Sequence, residues 1–204
     1  MEFFKNLTVL SLEQATVLPY LTYRLAHDGI NVIRLEHPVY GDPNRLVGWN
    51  LLNEERMNTY YLCINSGKKA MTLNLADPDG QKIFRDLIQE LKVDIFATNQ
   101  LPRNYEKLGI DYETIKALKP DIIWLGITGF GPQSNEPAYD PILQARSGLM
   151  DLTGEKEGEP YVTGIPLPDM GTSEHCYGLI MKALYKREVT GEGSCMNMSM
   201  YESS

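Results

Sequence analysis

Short stretches rich in aliphatic and β-branched residues alternate with amphipathic helical patterns along this chain, and that alternation restricts its fold more than any other feature. "LTVLSL" precedes "YLTYRLAHDG", "NVIRLEHP" follows, and "AMTLNL" precedes "DGQKIFRDLIQELK". In the last of these, Ile83, Phe84, Leu87, Ile88 and Leu91 recur at helical spacing, and "ADP" supplies a cap and a first-turn proline. "VDIFATN" then precedes "YEKLGIDYETIKALKP", and "DIIWLGITGFG" precedes a segment containing "PILQARSGLM". Strands and helices in such alternation predict an α/β fold with a mostly parallel sheet flanked by helices. Sheets of this kind bind ligands beyond the carboxyl ends of their strands. Chemistry is therefore expected in the loops 13–19, 36–49, 98–109 and 126–132.

A chain of 204 residues is long enough to bury a substantial core. The terminal "GSCMNMSMYESS" alternates like a strand and predicts a helix starting at Tyr201. An ending in mid-architecture leads us to expect a fragment, or a subunit that completes its fold elsewhere. The net charge of −8 argues against nucleic acid as the principal partner, because phosphate binding needs a basic surface. The start "MEFFKNLTVL" lacks the pattern of a secretion signal, and no apolar run reaches membrane-spanning length. A cytoplasmic protein without a membrane partner is expected.

Cys63, Cys176 and Cys195 are widely spaced with no CxxC pair, and His27, His37 and His175 are scattered, so neither a disulfide framework nor a metal site is suggested. Gly126, Gly129 and Gly131 do not form GxGxxG, which disfavours a nicotinamide site, and GxxxxGK[ST] is absent. Taken alone, "TGFGP" reads as a strand-ending turn.

The stretch "GIPLPDMGTSEH" sets Asp169 after two prolines and before the helical pattern carrying Tyr177, Ile180, Met181 and Leu184. By position alone it reads as a helix cap. Tyr139 and Asp140 read equally well as a turn packed on the sheet edge or as site residues. The basic residues along the chain read, one by one, as solvated surface.

Seven stretches taken in order change these readings. "VLSLEQATVLP", "NVIRLEHPVYGDPNR", "NSGKKAMTLNLADPDGQ", "LGIDYETIKALKPDIIWLGITGFGP", "YDPILQARSGLMDLTGE", "GIPLPDMGTS" and "TGEGSCMNMSM" together resemble the class III CoA-transferase family. That family includes formyl-CoA transferase, the carnitine CoA-transferases and α-methylacyl-CoA racemase. The resemblance implies that residues 1–204 are the N-terminal half, a Rossmann-like large domain truncated before the small domain. It also implies an interlocked homodimer, or a heteromer with a related subunit.

The resemblance makes Asp169 the nucleophile. A carboxylate is ionised at neutral pH and attacks a thioester without a separate base, passing through a mixed anhydride and an aspartyl-CoA thioester. Backbone N–H groups around Gly171 to Ser173 are expected to stabilise the oxyanion. Tyr139 stands where transferases of the family carry a tyrosine and the racemase a histidine, which favours transfer over racemisation. His37, Lys68, Lys69, Leu73, Asn99, Arg103 and Lys107 lie in segments that hold CoA in relatives. Trp49 matches a tryptophan bordering the substrate. Formyl-CoA transferase has a glutamine in the loop 13–19; an ungapped match puts Thr16 there and leaves Gln14 two residues early.

The resemblance thus implies coenzyme A or acyl-CoA and a free carboxylic acid as substrates, without metal. Details of "SLEQATVLP" and "PDMGTSEH" most resemble family members that act on succinyl-CoA and benzylsuccinate. The readings left open are an acyl-CoA racemase and a non-catalytic CoA-binding subunit of a heteromeric transferase.

Overall fold

Thr8–Leu12 forms β1, and its residues alternate between two hydrophobic cores, Val9 in one and Leu10 in the other. The computed structural model describes residues 4–204, so the first three residues of the opening stretch lie outside it. β2 (Asn31–Glu36), β3 (Lys69–Thr72), β4 (Ile95–Thr98), β5 (Ile123–Thr128) and β6 (Ser194–Ser199) complete a six-stranded sheet. Its order is β3-β2-β1-β4-β5-β6, and every pairing is parallel. β4 and β5 are buried along their whole length, as expected of strands covered on both faces.

α1 (Val17–His27) and α8 (Leu167–Thr190) lie on one face with Val9, Ile95, Ile123 and Leu125. α3 (Pro78–Glu90) and α5 (Tyr112–Leu118) lie on the other with Leu10, Phe96 and Trp124. The shorter helices are α2 (Thr59–Asn65), α4 (Tyr105–Leu108), α6 (Asp140–Ser147) and α7 (Leu149–Thr153).

The strand order reverses between β1 and β4, which opens a crevice beyond their carboxyl ends. The last crossover is unusual. β4 to β5 and β5 to β6 step the same way across the sheet, yet α5 and α8 cover opposite faces. The β5–α8–β6 unit therefore has the opposite hand to the ordinary right-handed connection. It brings the start of α8 against the start of α1.

The expected α/β architecture is present, and most local signals are as read. Asp77 caps α3 by accepting the Asp79 N–H at 2.9 Å, with Pro78 as the first helical residue. Phe84 and Ile88 are buried, while Ile83 stays partly in solvent. Two expectations are corrected. "YEKLGIDYETIKALKP" is two helices, because Gly109 closes α4 at φ +67° and Asp111 caps α5 through the Thr114 N–H at 2.9 Å. The helix expected at Tyr201 is a single 3₁₀ turn, Tyr201–Ser203.

Gly80 shows how closely α3 is laid on its preceding loop, since a Cβ there would stand 1.9 Å from the Asn74 carbonyl oxygen. Glycine to alanine inside a helix ordinarily gains up to about 1 kcal/mol. Here the clash is with backbone, so Gly80→Ala is expected to cost about 1–3 kcal/mol. Thermal unfolding of the full-length protein checks this, and an unchanged or raised Tm contradicts it.

Candidate active site

Asp169 is not a helix cap. The capping position of α8 is Pro166, and Asp169 is the third residue of the helix. Pro168 belongs to the first turn, where a proline is well suited. The Asp169 backbone N–H donates to Asp140 Oδ2 at 3.1 Å, and the side chain lines the crevice.

This early start overturns the expected role of Gly171. As the fifth residue of α8 it lies inside the helix, where its N–H points along the ladder to the carbonyl four residues back. The first-turn donors of α8 are also taken. The Leu167 N–H donates to the Ile165 carbonyl at 2.8 Å and the Met170 N–H to the Pro166 carbonyl at 3.0 Å.

Asp140, at the start of α6, is 7% exposed. Its Oδ1 accepts from Gln144 Nε2 at 2.5 Å, and Gln144 Oε1 accepts the Thr163 N–H at 2.8 Å. This chain of bonds fixes the segment leading into α8. Burial, reinforced by the Asp140 charge, pushes the Asp169 carboxyl up to about 7. The carboxylate is therefore only partly ionised at neutral pH, which corrects the expectation of an ordinary aspartate.

The crevice, of about 420 Å³, brings Gln14, Thr16, Asn99, Tyr139 and Asp169 together. Tyr139 is 66% exposed and also borders the neighbouring cleft of Tyr60, Val162 and Ile165. Thr16 Oγ1 stands 3.1 Å from the Tyr60 hydroxyl. The amide of Asn99 is used internally, accepting the Gln14 N–H at 3.1 Å and donating to the Gln14 carbonyl at 2.8 Å. Ser173 Oγ donates to the Val17 carbonyl at 2.5 Å, tying α8 to the start of α1.

A second cleft, beyond β1, β2 and β3, holds His37 and Leu73 and shares Gln14 with the crevice. His37 Nδ1 accepts the N–H groups of Val39 and Tyr40 at 3.1 and 3.3 Å, which places its ring proton on Nε2.

The remaining expected residues are placed elsewhere. Lys68 is enclosed, its Nζ donating to Glu13 Oε1, Asn65 Oδ1 and the Pro19 carbonyl at 2.7–2.8 Å. All three of its donors are spent, so it has none left for a phosphate. Burial draws the ammonium down to about 8 against the pull of Glu13. Lys69 lies at the amino end of edge strand β3 and donates to Asn31 Oδ1 at 2.9 Å, at the opposite end of the sheet from the crevice. Arg103 and Lys107 are exposed beside the crevice-lining residues Leu101 and Asn104 and the cleft residue Leu108. Trp49 is 79% exposed, its backbone paired with Thr59.

Residues 4–204 match CoA-transferase family III. The chain belongs to that family. This member is 35% identical over 202 residues to the succinyl-CoA:glutarate CoA-transferase of Mus musculus, covering 98% of this chain and 45% of that one. It is 34% identical to the acetyl-CoA:oxalate CoA-transferase of Acetobacter aceti, covering 98% and 51%. Among solved structures, a CAIB/BAIF family protein from Brucella suis superimposes with a TM-score of 0.90 at 30% identity, covering 98% and 53%. The chain spans about half the length of the curated relatives it matches. Among the described residues, no helix is long and apolar enough to cross a membrane.

Two further residues shape the site, Asp140 beneath Asp169 and Tyr60 beside Thr16. Asp140 was legible only as the acid after Tyr139 in "AYD", and Tyr60 carried no signal at all.

The raised Asp169 carboxyl has a thermodynamic consequence. The folded state holds this proton up to about 7 and the unfolded chain only to about 3.8, so stability falls as pH rises across that window. Asp169→Asn removes the penalty. In the full-length protein it is expected to raise stability at pH 8 by on the order of 1 kcal/mol, a Tm gain of roughly 2–4 °C, with little change at pH 4. Melting curves at the two pH values check this; equal shifts at both contradict it.

Proposed function

We propose that this chain carries the nucleophile-bearing half of an enzyme that moves CoA from an acyl-CoA to a free carboxylic acid. The observation that carries the reading is the Asp169 carboxylate, unneeded as a cap and set in the crevice at the strand-order reversal. The names of the relatives support the class of reaction.

The steps balance without a metal or redox partner. An Asp169 carboxylate oxygen attacks the thioester carbonyl, the C–S bond breaks, and CoA leaves as thiolate from a mixed anhydride. The thiolate attacks the Asp169 carbonyl carbon, releasing the donor acid and leaving an aspartyl-CoA thioester. The acceptor carboxylate displaces the thiolate to form a second anhydride. The thiolate then attacks the acceptor carbonyl, giving the new acyl-CoA and free Asp169. A carboxyl near 7 is a stronger nucleophile than an ordinary aspartate once ionised, and half of it is ionised at that pH. Tyr139 orients the carbonyl by hydrogen bonding.

CoA is read as lying along the cleft of His37 and Leu73 toward the crevice, with Arg103 and Lys107 at its rim. The acid is read as an aromatic-substituted succinate accepting CoA from succinyl-CoA. The apolar cleft of Tyr20, Tyr60, Ile64 and Met170 beside Thr16 supports such a substituent. Assembly with a second chain and a cytoplasmic location complete the reading.

A second reading draws on the same raised carboxyl. A base with a pKa near 7 suits removal of an α-proton, as in racemisation, although Tyr139 is a poor partner acid.

In the full-length protein with acyl-CoA and hydroxylamine, intact-mass and peptide analysis is expected to find a hydroxamate at Asp169 and none in Asp169→Asn. kcat/KM should rise about tenfold per pH unit below ~7 and level off above it. Full transfer activity in a folded Asp169→Asn protein, free of deamidation, overturns the nucleophile. Rapid deuterium exchange at the acyl α-carbon without an acceptor acid favours the racemase.

A further inference from the structure

Ala15 occupies the left-handed region at φ +61°, where a side chain is disfavoured and glycine is the usual residue. It lies in the loop that joins β1 to α1 and lines the Asp169 crevice. Both of its peptide groups are held by side chains from the loop after β2. The Ala15 N–H donates to Asp42 Oδ1 at 3.3 Å, and its carbonyl accepts from Asn44 Nδ2 at 2.7 Å. Asp42 Oδ1 also accepts the Asn44 N–H at 2.8 Å, so one carboxylate aligns the whole clamp.

The clamp is anchored in a buried charge cluster. Asp42 is 1% exposed, and its Oδ2 accepts from the fully buried Arg34 Nη2 at 2.7 Å. Arg34 Nε stands between Glu13 at 3.5 Å and Glu36 at 3.4 Å, and Arg34 Nη1 donates to Asn65. Arg45 and Tyr61 complete the shell around Glu36 at 2.7 and 3.0 Å. A turn that only had to connect β1 to α1 would take a glycine at position 15 and need none of this. Held strain beside a reactive group is a recurring way of aiming a site. The residue so aimed is Thr16, which borders the crevice and meets the Tyr60 hydroxyl.

We infer that Asp42 is a positioning residue for the transfer reaction: with Asn44 it holds Ala15 left-handed, which keeps Thr16 and the start of α1 set against Asp169. Asp42 does not line the crevice and acts through the loop. The inference rests on Asp169 being the nucleophile.

The test is a double-mutant cycle in the full-length protein, since glycine adopts the left-handed conformation without the clamp. Asp42→Ala is expected to lower kcat at least tenfold while the KM for acyl-CoA changes less than threefold. The same substitution made in an Ala15→Gly background is expected to lower kcat less than threefold. The Ala15 amide should exchange with solvent faster in Asp42→Ala than in the unsubstituted protein. Should Asp42→Ala fail to fold, Asn44→Ala, which removes the bond to the Ala15 carbonyl and a longer one to Thr16 Oγ1 at 3.4 Å, is carried through the same cycle. An undiminished kcat, or an equal loss in both backgrounds, overturns the positioning role. Absence of any acyl adduct on Asp169 in the unsubstituted protein instead overturns the nucleophile reading, and this inference with it.

Discussion

The site depends on which face of the sheet the last helix covers. If α8 had crossed on the side of α3 and α5, as the preceding connections do, its first turn would lie across the sheet from α1. Because it crosses over α1 instead, Asp169 meets the loop leaving β1. The reversal of strand order between β1 and β4 supplies the opening, and the hand of this crossover supplies the carboxylate.

Electrostatics then divide the carboxyl ends of the strands into two regimes. Around Glu13, Glu36 and Asp42, buried carboxylates are matched by Arg34, Arg45 and Lys68. Breaking such a pair by removing one partner typically costs about 3–5 kcal/mol, so that cluster belongs to the scaffold. Around Asp169 the charge that acts on the carboxyl is another carboxylate, Asp140, and among the described residues no cation lines the crevice. One acid cluster is neutralised and holds the loop; the other is left with its repulsion, which raises the Asp169 carboxyl.

The layered architecture was legible in the sequence because strands covered on both faces leave a strong apolar signature, as in "DIIWLGIT". Asp169 was legible only through resemblance, since its local sequence reads as a cap. Residues that failed to reach the site did so for reasons of partnership across the chain. Lys68 looks like surface until Glu13, 55 positions away, folds beside it. Gly171 reads as a first-turn residue only if the helix begins after the aspartate, whereas Pro168 already lies in its first turn. Asp140 and Asp169 are 29 positions apart, and nothing in either stretch announces that they meet.

Ser173 lies one turn beyond Asp169, and its single hydroxyl proton is shared between the Val17 carbonyl at the head of α1, at 2.5 Å, and the Asp169 carbonyl at 2.8 Å. Asp169 and the head of α1 are thereby tied to one another. The wall after β4 is tied to the loop before α1 through Asn99, which bonds both backbone groups of Gln14, and the start of α6 is tied to Asp169 through Asp140, so a displacement of one wall pulls on the others.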